Sequence, residues 1–281
     1  MIMKHKNYGM QDIDSKKSSK SGLAGILETC IRRFRSVVHY LVILALYALG
    51  SVLMGISIVP GIYLFKFTYA MTINSPQFVH YAFIGISLAA GYFLYGITLI
   101  LAVLPFANFI FRLKLKPWRG IYYSLEALPW YVHNSLTYIA RYTFLFLATP
   151  TPLNIQFYRM MGMKIGRGVQ INTTNISDPS LITLEDKVTL GGSSTVIAHY
   201  GQSGFLITSP VRIRKRAVIG LKVTIMGGVD IGEGAKVLAN SFVLPKTKIP
   251  AGEVWGGIPA VCLRKADENP DNRIPEKVRG L

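Results

Sequence analysis

Acidic residues are scarce in this chain, and they are far outnumbered by basic ones. The 281 residues include 14 Asp and Glu against 31 Lys and Arg, which gives a formal net charge of +17. This imbalance favours anionic partners such as acidic lipid headgroups or phosphorylated small molecules. The sequence carries no RNA- or DNA-binding motif, so we expect no nucleic-acid partner.

Cysteine is also rare, since the chain has only Cys30 and Cys262. Two cysteines so far apart exclude a disulfide framework and a CxxC metal site. Cys262 has no histidine near it in the sequence, so we interpret it as a packed residue rather than a nucleophile.

Charge is almost absent between Val37 and Phe111, where Lys66 is the single charged residue. Two apolar runs, at about 37–64 and 78–106, each exceed the roughly 20 residues that a bilayer core requires. A short turn, TINSPQ at 72–77, separates them. We therefore predict a transmembrane helical hairpin over 37–111, with a buried pair of soluble helices as the alternative.

Basic residues flank this hairpin on both outer sides, so the positive-inside rule predicts that both termini are cytoplasmic. Residues 1–36 form a basic segment in which Asp14–Ser21 is expected to be disordered. Residues 112–158 mix aromatic residues with a few charges, which predicts helices lying at the cytoplasmic membrane surface. A third spanning helix at about 136–148 is the alternative. Residues 266–281 form a charged tail.

A six-residue period begins after these helices, in the segment 159–265. One phase places an aliphatic β-branched residue at every sixth position: Ile207, Ile213, Ile219, Ile225, Ile231, Val237, Val243 and Ile249. An α-helix with 3.6 residues per turn does not keep a core at this period, whereas a triangular solenoid does. Earlier hexads slip in register near Asn175–Ser180 and again at 200–206, where we expect a short loop that leaves the solenoid. The predicted fold class is therefore α plus β-solenoid, with the membrane-associated helices preceding a parallel β-helix.

The residues of this period resemble the hexapeptide-repeat acyltransferase superfamily over roughly 160–265. The resemblance is carried by RMMGMKIGRGVQI (159–171), DPSLITLEDKVTLGGSSTVIAH (178–199), AVIGLKVTIMGGVDIGEGAKVLANSFV (217–243) and WGGIPA (255–260). The arrangement with membrane helices is similar to the terminal region of certain non-ribosomal peptide synthetases and to polysaccharide O-acetyltransferases. The resemblance implies a left-handed β-helix, a thioester donor such as acetyl-CoA or another acyl-CoA, and a homo-oligomer, in particular a trimer.

Acyl transfer requires a base that removes a proton from the attacking hydroxyl or amine, and histidine suits this role near neutral pH. His199 is the one histidine of the repeat region and directly precedes the expected loop. We predict that His199 is the base, against the alternative of an ordinary surface histidine. Asp178 lies about one coil before it, so it is predicted either to orient the imidazole or to cap the turn before Pro179.

Phosphate groups of CoA suggest a role for a basic cluster that follows the loop. The candidates for cofactor binding are Arg212, Arg214, Lys215, Arg216, Lys222, Gly227 and Gly228. The cations face anionic lipid in the alternative interpretation, and the two glycines are then simply coil corners. A metal site is not expected, because carbonic anhydrases of the same solenoid class bind zinc through three histidines and this solenoid has one.

These features together predict a bacterial inner-membrane protein with a cytoplasmic catalytic domain. Its expected partners are acyl-CoA, membrane lipids and a membrane-proximal acceptor, such as a glycan precursor or an amine-bearing metabolite. Two other functions remain open: a non-enzymatic membrane scaffold that uses the solenoid for assembly, and an acyltransferase whose donor is bound to a carrier protein.

Overall fold

The fold consists of a long helical hairpin, a layer of shorter helices and a parallel β-helix. It is known from a computed structural model that describes residues 13, 15–111 and 113–267. The helices are α1 (Gly22–Arg33), α2 (Arg35–Thr72), α3 (Gln77–Thr98), α4 (Leu104–Ile110), α5 (Leu128–Ala140) and α6 (Pro152–Met160). A π-helical stretch at Leu99–Val103 joins α3 to α4, and another at Arg141–Leu145 extends α5. A 3-10 turn at Leu125–Ala127 precedes α5.

The hairpin of α2 and α3 contains two helices that are long and apolar enough to cross a membrane, Arg35–Thr72 and Gln77–Ile110. The two helices approach closely at Gly61 and Gly91, where a Cβ on Gly61 would lie 3.1 Å from the Gly91 carbonyl oxygen. Glycine at both positions therefore permits close packing of the two backbones. The predicted turn at 72–77 is present between the helices.

The first helix is longer than the apolar run suggested. It continues past Pro60 and ends at Thr72, so Pro60 lies inside the helix rather than near its end. Apolar helices tolerate an internal proline when neighbouring groups satisfy the freed backbone.

The β-helix is built from short strands that stack coil upon coil in three parallel sheets. The strands are β2 (Lys164–Ile165), β3 (Gln170–Ile171), β4 (Ile176–Ser177), β5 (Ile182–Leu184), β6 (Thr189–Leu190), β7 (Thr195–Ile197), β10 (Val211–Ile213), β11 (Val218–Ile219), β12 (Thr224–Ile225), β13 (Asp230–Ile231), β14 (Lys236–Val237), β15 (Phe242–Val243), β16 (Lys248–Ile249) and β17 (Val254–Gly256), and β18 (Val261–Arg264) closes one sheet in antiparallel pairing. The sheet orders are β16-β13-β10-β5-β2, β17-β14-β11-β6-β3 and β15-β12-β7-β4. Three parallel sheets confirm the solenoid that the hexapeptide period predicted, and they fit the left-handed β-helix that the resemblance implied.

The aliphatic position of each hexad points inward and stacks on the same position of the next coil. On one face Leu184 pairs in register with Ile213, which pairs with Ile231 and then with Ile249, and all four are buried. The glycine that follows the aliphatic residue is required by the stacking, because a Cβ on Gly220 would lie 2.6 Å from the backbone nitrogen of Ala239 in the next coil. The repeat is therefore set by both inward packing and coil-to-coil approach.

The two predicted slips of register have distinct structures. The first is a 3-10 turn, Pro179–Leu181, between β4 and β5. The second is a β-hairpin, β8 (His199–Gln202) and β9 (Phe205–Thr208), that leaves the solenoid. Ile207 pairs with Tyr200 inside this hairpin, so its assignment to the inward stack was wrong and the regular stack resumes at Ile213.

The hairpin is joined by a third strand from the segment that the sequence assigned to interfacial helices. β1 (Trp118–Ile121) pairs antiparallel with β9, and Ile121 is buried with Phe205 in a small core of its own. The prediction of helices is therefore wrong for 118–121, because the extruded hairpin offers an edge whose pairing outweighs local preference. Residues 125–145 of the same segment are helical.

Helix α6 closes the first coil of the β-helix. Thr151 caps it by accepting a hydrogen bond from the backbone N–H of Leu153 at 3.2 Å. Phe157 and Tyr158 are fully buried in one apolar core that extends from the solenoid to Leu99, the residue directly after α3. The solenoid and the helices thus share a continuous core.

The segment expected to be disordered contacts α1 in its described part. Ser18 donates to Glu28 at 3.1 Å, and Lys20 forms ion pairs with Glu28 at 2.7 Å and with Glu126. These pairings hold residues 15–21 against α1 and the segment before α5, which the low apolar content of the segment did not indicate.

Candidate functional site

A histidine and an aspartate meet where the chain leaves the solenoid. His199 begins β8, and its Nδ1 lies 2.6 Å from Oδ2 of Asp178, one coil below. Asp178 is fully buried, whereas the His199 side chain is 21% exposed. The spacing of one coil thus brings the two predicted site residues together, and their catalytic roles stay a prediction.

Four hydrogen bonds surround the Asp178 carboxylate. Besides His199, its Oδ2 accepts from the backbone N–H of Ala198 at 3.2 Å. Its Oδ1 accepts from Nε1 of Trp130 at 2.9 Å and from Nδ2 of Asn134 at 2.8 Å. Because indole and backbone N–H groups only donate, both carboxylate oxygens act as acceptors.

This arrangement determines which nitrogen of His199 carries the proton. An accepting carboxylate oxygen requires Nδ1 to donate, so Nε2 bears the free lone pair. Within the part of the chain that the structure describes, no hydrogen bond uses Nε2. His199 is therefore oriented to accept a proton from an incoming group.

The backbone at Asp178 has an unusual conformation that directs its side chain inward. Its φ of 60° and ψ of 50° lie in the left-handed region, which aspartate tolerates better than most residues. Arg141 donates to the carbonyl oxygen of Ile176 at 2.6 Å, two residues before. The π-helical stretch after α5 therefore supports the strand that presents the carboxylate.

Trp130 forms one wall beside the histidine. Its ring centroid lies 5.0 Å from that of His199 in an edge-to-face arrangement. The same indole donates to Asp178, so a single side chain contacts both members of the pair. Neither Trp130 nor Asn134 was identified from the sequence, although their spacing of four residues places both on one face of a helix.

A second histidine lies next to this site but is sealed from solvent. His133 is fully buried, and its Nδ1 lies 2.9 Å from Oδ1 of Asn108. Burial lowers the pKa of His133 to about 4, against a weaker raising effect of Asp178. His133 is therefore neutral at physiological pH and is structural rather than exposed to a substrate.

Comparisons with known proteins agree with this architecture. The chain is 28% identical over 131 residues to a delta-poly-L-ornithine synthetase of Acinetobacter baumannii (strain AB307-0294), covering 47% of this chain and 10% of that protein. It is 37% identical over 107 residues to the mitochondrial gamma carbonic anhydrase 2 of Arabidopsis thaliana, covering 36% and 34%. It is 29% identical over 139 residues to the serine acetyltransferase of Escherichia coli (strain K12), covering 49% of each.

This chain is a hexapeptide-repeat protein. The six-residue period and the three parallel sheets are those of the hexapeptide-repeat fold, and the similarity to a serine acetyltransferase supports the resemblance to that superfamily. The chain spans about half or less of the length of these curated relatives. No protein-family model matches it.

The residues of this hexapeptide-repeat protein do not fit a three-histidine zinc site. Its solenoid has His199 as its one histidine, and the Nδ1 of that ring faces Asp178. The described residues hold no group of three or more His, Cys, Asp or Glu side chains suited to a metal ion.

The predicted CoA-binding cations lie on the outer surface after the hairpin, and three of them are paired with acids. Arg212 pairs with Glu185 at 2.6 Å, Arg214 with Asp230 at 2.9 Å and Arg216 with Glu233 at 2.5 Å. The hydrogen bond from Arg214 lowers the pKa of Asp230, against the opposing effect of its partial burial.

The two lysines of the cluster remain available for an anionic ligand. Among the described residues, the ammonium groups of Lys215 and Lys222 form no ion pair, although the backbone N–H of Lys215 donates to Glu185 at 3.3 Å. Several cluster cations, including Lys215, line an open groove of about 760 Å³. The structure thus assembles part of the predicted cluster into one surface but neutralises three of its members.

The two predicted glycines lie directly above the site. A Cβ on Gly227 would lie 3.1 Å from the carbonyl carbon of Ala198, the residue before His199. Gly228 has a φ of +84° and donates its N–H to the carbonyl oxygen of Ser209. The N–H of Gly227 has no hydrogen bond to another described backbone group, so it is the free donor of this corner.

Proposed function

We propose that this protein is an acyltransferase that moves an acyl group, most simply acetyl, from a CoA thioester to a hydroxyl or amine. The observation that carries the proposal is the His199–Asp178 pair, with the aspartate buried and accepting four hydrogen bonds. The similarity to a serine acetyltransferase supports the reaction class.

The geometry supports general-base catalysis. Nε2 of His199 takes the proton of the acceptor as its oxygen or nitrogen attacks the thioester carbonyl. Asp178 holds the imidazole in the required tautomer and stabilises the imidazolium. The same proton then passes to the departing thiolate, so CoA leaves as the free thiol. We assign the unused N–H of Gly227 to the developing oxyanion.

The donor is proposed to bind through its phosphates to the surface that follows the hairpin. Lys215 and Lys222 are the favoured contacts because their ammonium groups form no ion pair with a described residue. The paired arginines require an exchange of partner before they bind phosphate, which makes them weaker candidates. A donor carried by an acidic carrier protein is the alternative for the same surface.

We further propose that α2 and α3 anchor the protein in a bacterial inner membrane with both termini and the solenoid in the cytoplasm. Only 17% of the most apolar stretch of α2 is buried, which is unlike a core helix of a soluble protein. The exposed apolar side chains along the hairpin suit contact with lipid. A membrane-proximal acceptor and a homotrimer complete the proposal.

The test measures thioester turnover by the purified full chain in detergent. Turnover is monitored as thiol release from acetyl-CoA in the presence of hydroxyl or amine acceptors. His199→Ala is expected to lower kcat at least a hundredfold, since general-base catalysis contributes about 10²–10⁴-fold. His80→Ala, at the far end of the hairpin, is the matched control and should retain the wild-type rate. Undiminished turnover by His199→Ala would contradict the proposal and favour a scaffold.

The donor is tested in the same assay. Acetyl-CoA and an acetylated acyl carrier protein are compared at equal concentration. A higher kcat/KM for acetyl-CoA supports the proposal, and a higher value for the carrier-bound donor replaces it with the alternative.

A further inference from the structure

An apolar groove lies between the N-terminal end of α2 and the segment that leads into α5. Its volume is about 230 Å³. One wall includes Val42 and Leu46 of α2, and the other includes Tyr122, Leu128 and Tyr131. The groove thus begins on a helix that is long and apolar enough to cross a membrane.

Trp130 connects the groove lining to the His199–Asp178 pair through aromatic contacts. The ring of Trp130 lies 5.0 Å from Tyr131 and 6.3 Å from Tyr122, both of which line the groove. The same indole ring lies 5.0 Å from His199. A Cβ on Gly201, two residues after His199, would lie 3.0 Å from the Tyr122 hydroxyl. Trp130 is therefore the ring between these two groove residues and the proposed base.

Basic residues lie beside the groove. The chain between groove residues Ile31 and Val38 lines a second cavity, of about 440 Å³, together with Lys16. Arg33 and Arg35 lie in this stretch, and neither forms an ion pair with a described acidic residue. This charge suits a phosphate group at the end of an apolar chain.

We propose that the groove binds the hydrocarbon chain of the acyl acceptor, and that this acceptor is a lipid phosphate with a single hydrocarbon chain. The phosphate lies at Arg33 and Arg35, and the hydroxyl or amine to be acylated reaches His199 past Trp130. The groove volume suits one chain rather than two. This inference rests on the acyltransferase function proposed above.

The physical reasons are burial and charge. Each methylene group that leaves water for the groove adds favourable transfer free energy, so the chain contributes to affinity in proportion to its buried length. Cations beside an anionic headgroup add a further term that salt screens only partly near a membrane surface. A small soluble acceptor without a hydrocarbon chain would gain nothing from the apolar groove, even if it carried a phosphate.

The test is photolabelling of the full chain in detergent with a diazirine-bearing octadecyl phosphate, followed by mass spectrometry of the labelled peptides. Labels are expected within 38–46 and 122–131. Leu46→Trp fills the groove and should lower this labelling at least tenfold. Leu44→Trp is the matched control, because it adds the same bulk at a side chain that is 65% exposed. This variant should be labelled as strongly as the wild type.

Val42→Trp is a second groove-filling variant, which keeps the test valid if Leu46→Trp misfolds. Circular dichroism compares the helix content of both variants with that of the wild type. The double variant Arg33→Gln and Arg35→Gln should lower labelling by the octadecyl phosphate about fivefold or more. Labelling by a diazirine-bearing octadecanol should change little, because this probe carries no charge.

Equal labelling of Leu46→Trp and Leu44→Trp would overturn the proposal. It would also be overturned if excess dioleoylphosphatidylglycerol abolished labelling, since the site would then belong to bulk lipid. A rise in labelling on deletion of residues 2–12 would assign the groove to the chain's own terminal segment instead. His199→Ala should label normally, so failure of the proposed catalysis is distinguishable from failure of this site.

Discussion

The substitution Asp178→Asn tests whether the buried carboxylate orients the base. The Asp178 oxygens accept from four donors, and two of these, the indole of Trp130 and the backbone N–H of Ala198, are unable to reverse their role. An amide in the same place has one oxygen and one NH2 group. The NH2 group therefore faces either Trp130 and Asn134 or His199 and Ala198. Because NH2 is itself a donor, that pair loses its acceptor.

The size of the effect follows from the tautomer of His199. If the amide NH2 faces Nδ1, the ring must carry its proton on Nε2 and is no longer a base. In serine proteases the equivalent change lowers kcat by about 10⁴ through the wrong tautomer. Here we expect a loss of about 10³–10⁴ in kcat, which corresponds to about 4–5.5 kcal/mol in the activation free energy. KM for the thioester should change little.

The assay is thiol release from acetyl-CoA by the purified full chain, with kcat and KM determined separately. Asp186→Asn is the matched control, because this carboxylate belongs to the same solenoid and accepts from the backbone N–H of Arg167 at 2.8 Å. It should retain kcat within about threefold. A similarly small loss for Asp178→Asn would refute the orientation argument, provided that both variants show the wild-type unfolding temperature.

Three further predictions concern the surroundings of the pair. Asn134→Leu removes one donor from the carboxylate and should lower kcat about tenfold with KM unchanged, whereas Ser135→Ala on the same helix should not, as steady-state kinetics will show. His133 has a folded pKa of about 4, below its unfolded value, so its contribution to stability is complete above about pH 6.5. This contribution to the free energy of unfolding falls by about 3 kcal/mol as pH drops toward 4. Thermal unfolding at a series of pH values should therefore show less acid sensitivity in His133→Gln than in the wild type. Gly220→Ala places a methyl group against the backbone of Ala239 and should lower the free energy of unfolding by about 1–3 kcal/mol; an unchanged midpoint in denaturant would contradict the stacking argument.

The solenoid could be predicted from the sequence because its period is a direct consequence of inward stacking. A separation of about one coil was sufficient to place Asp178 near His199, and the structure shows Nδ1 of His199 at 2.6 Å from Oδ2 of Asp178. The start of the regular stack was misplaced at Ile207, since a β-branched residue satisfies the period equally well in a hairpin. Local pattern alone does not separate these two environments.

Contacts between the helices and the solenoid were not predictable in the same way. Trp130 and Asn134 reach Asp178 across more than forty positions of sequence, and no local period encodes that approach. The strand at Trp118–Ile121 depends on an edge that exists only after the hairpin has left the solenoid. These features arise from tertiary pairing, so a single sequence gives them no periodic signal.

Both the helices and the solenoid hold the Asp178 carboxylate, and this limits where the chain can be cut into fragments. Two of its hydrogen-bond donors come from α5 and two from the solenoid itself. A fragment that begins at residue 159 would retain every coil of the β-helix yet lose half of the donors. Transferring the proposed reaction to another membrane anchor would therefore require moving α5 together with the coils, because the proposed catalytic unit and the repeat domain have different boundaries.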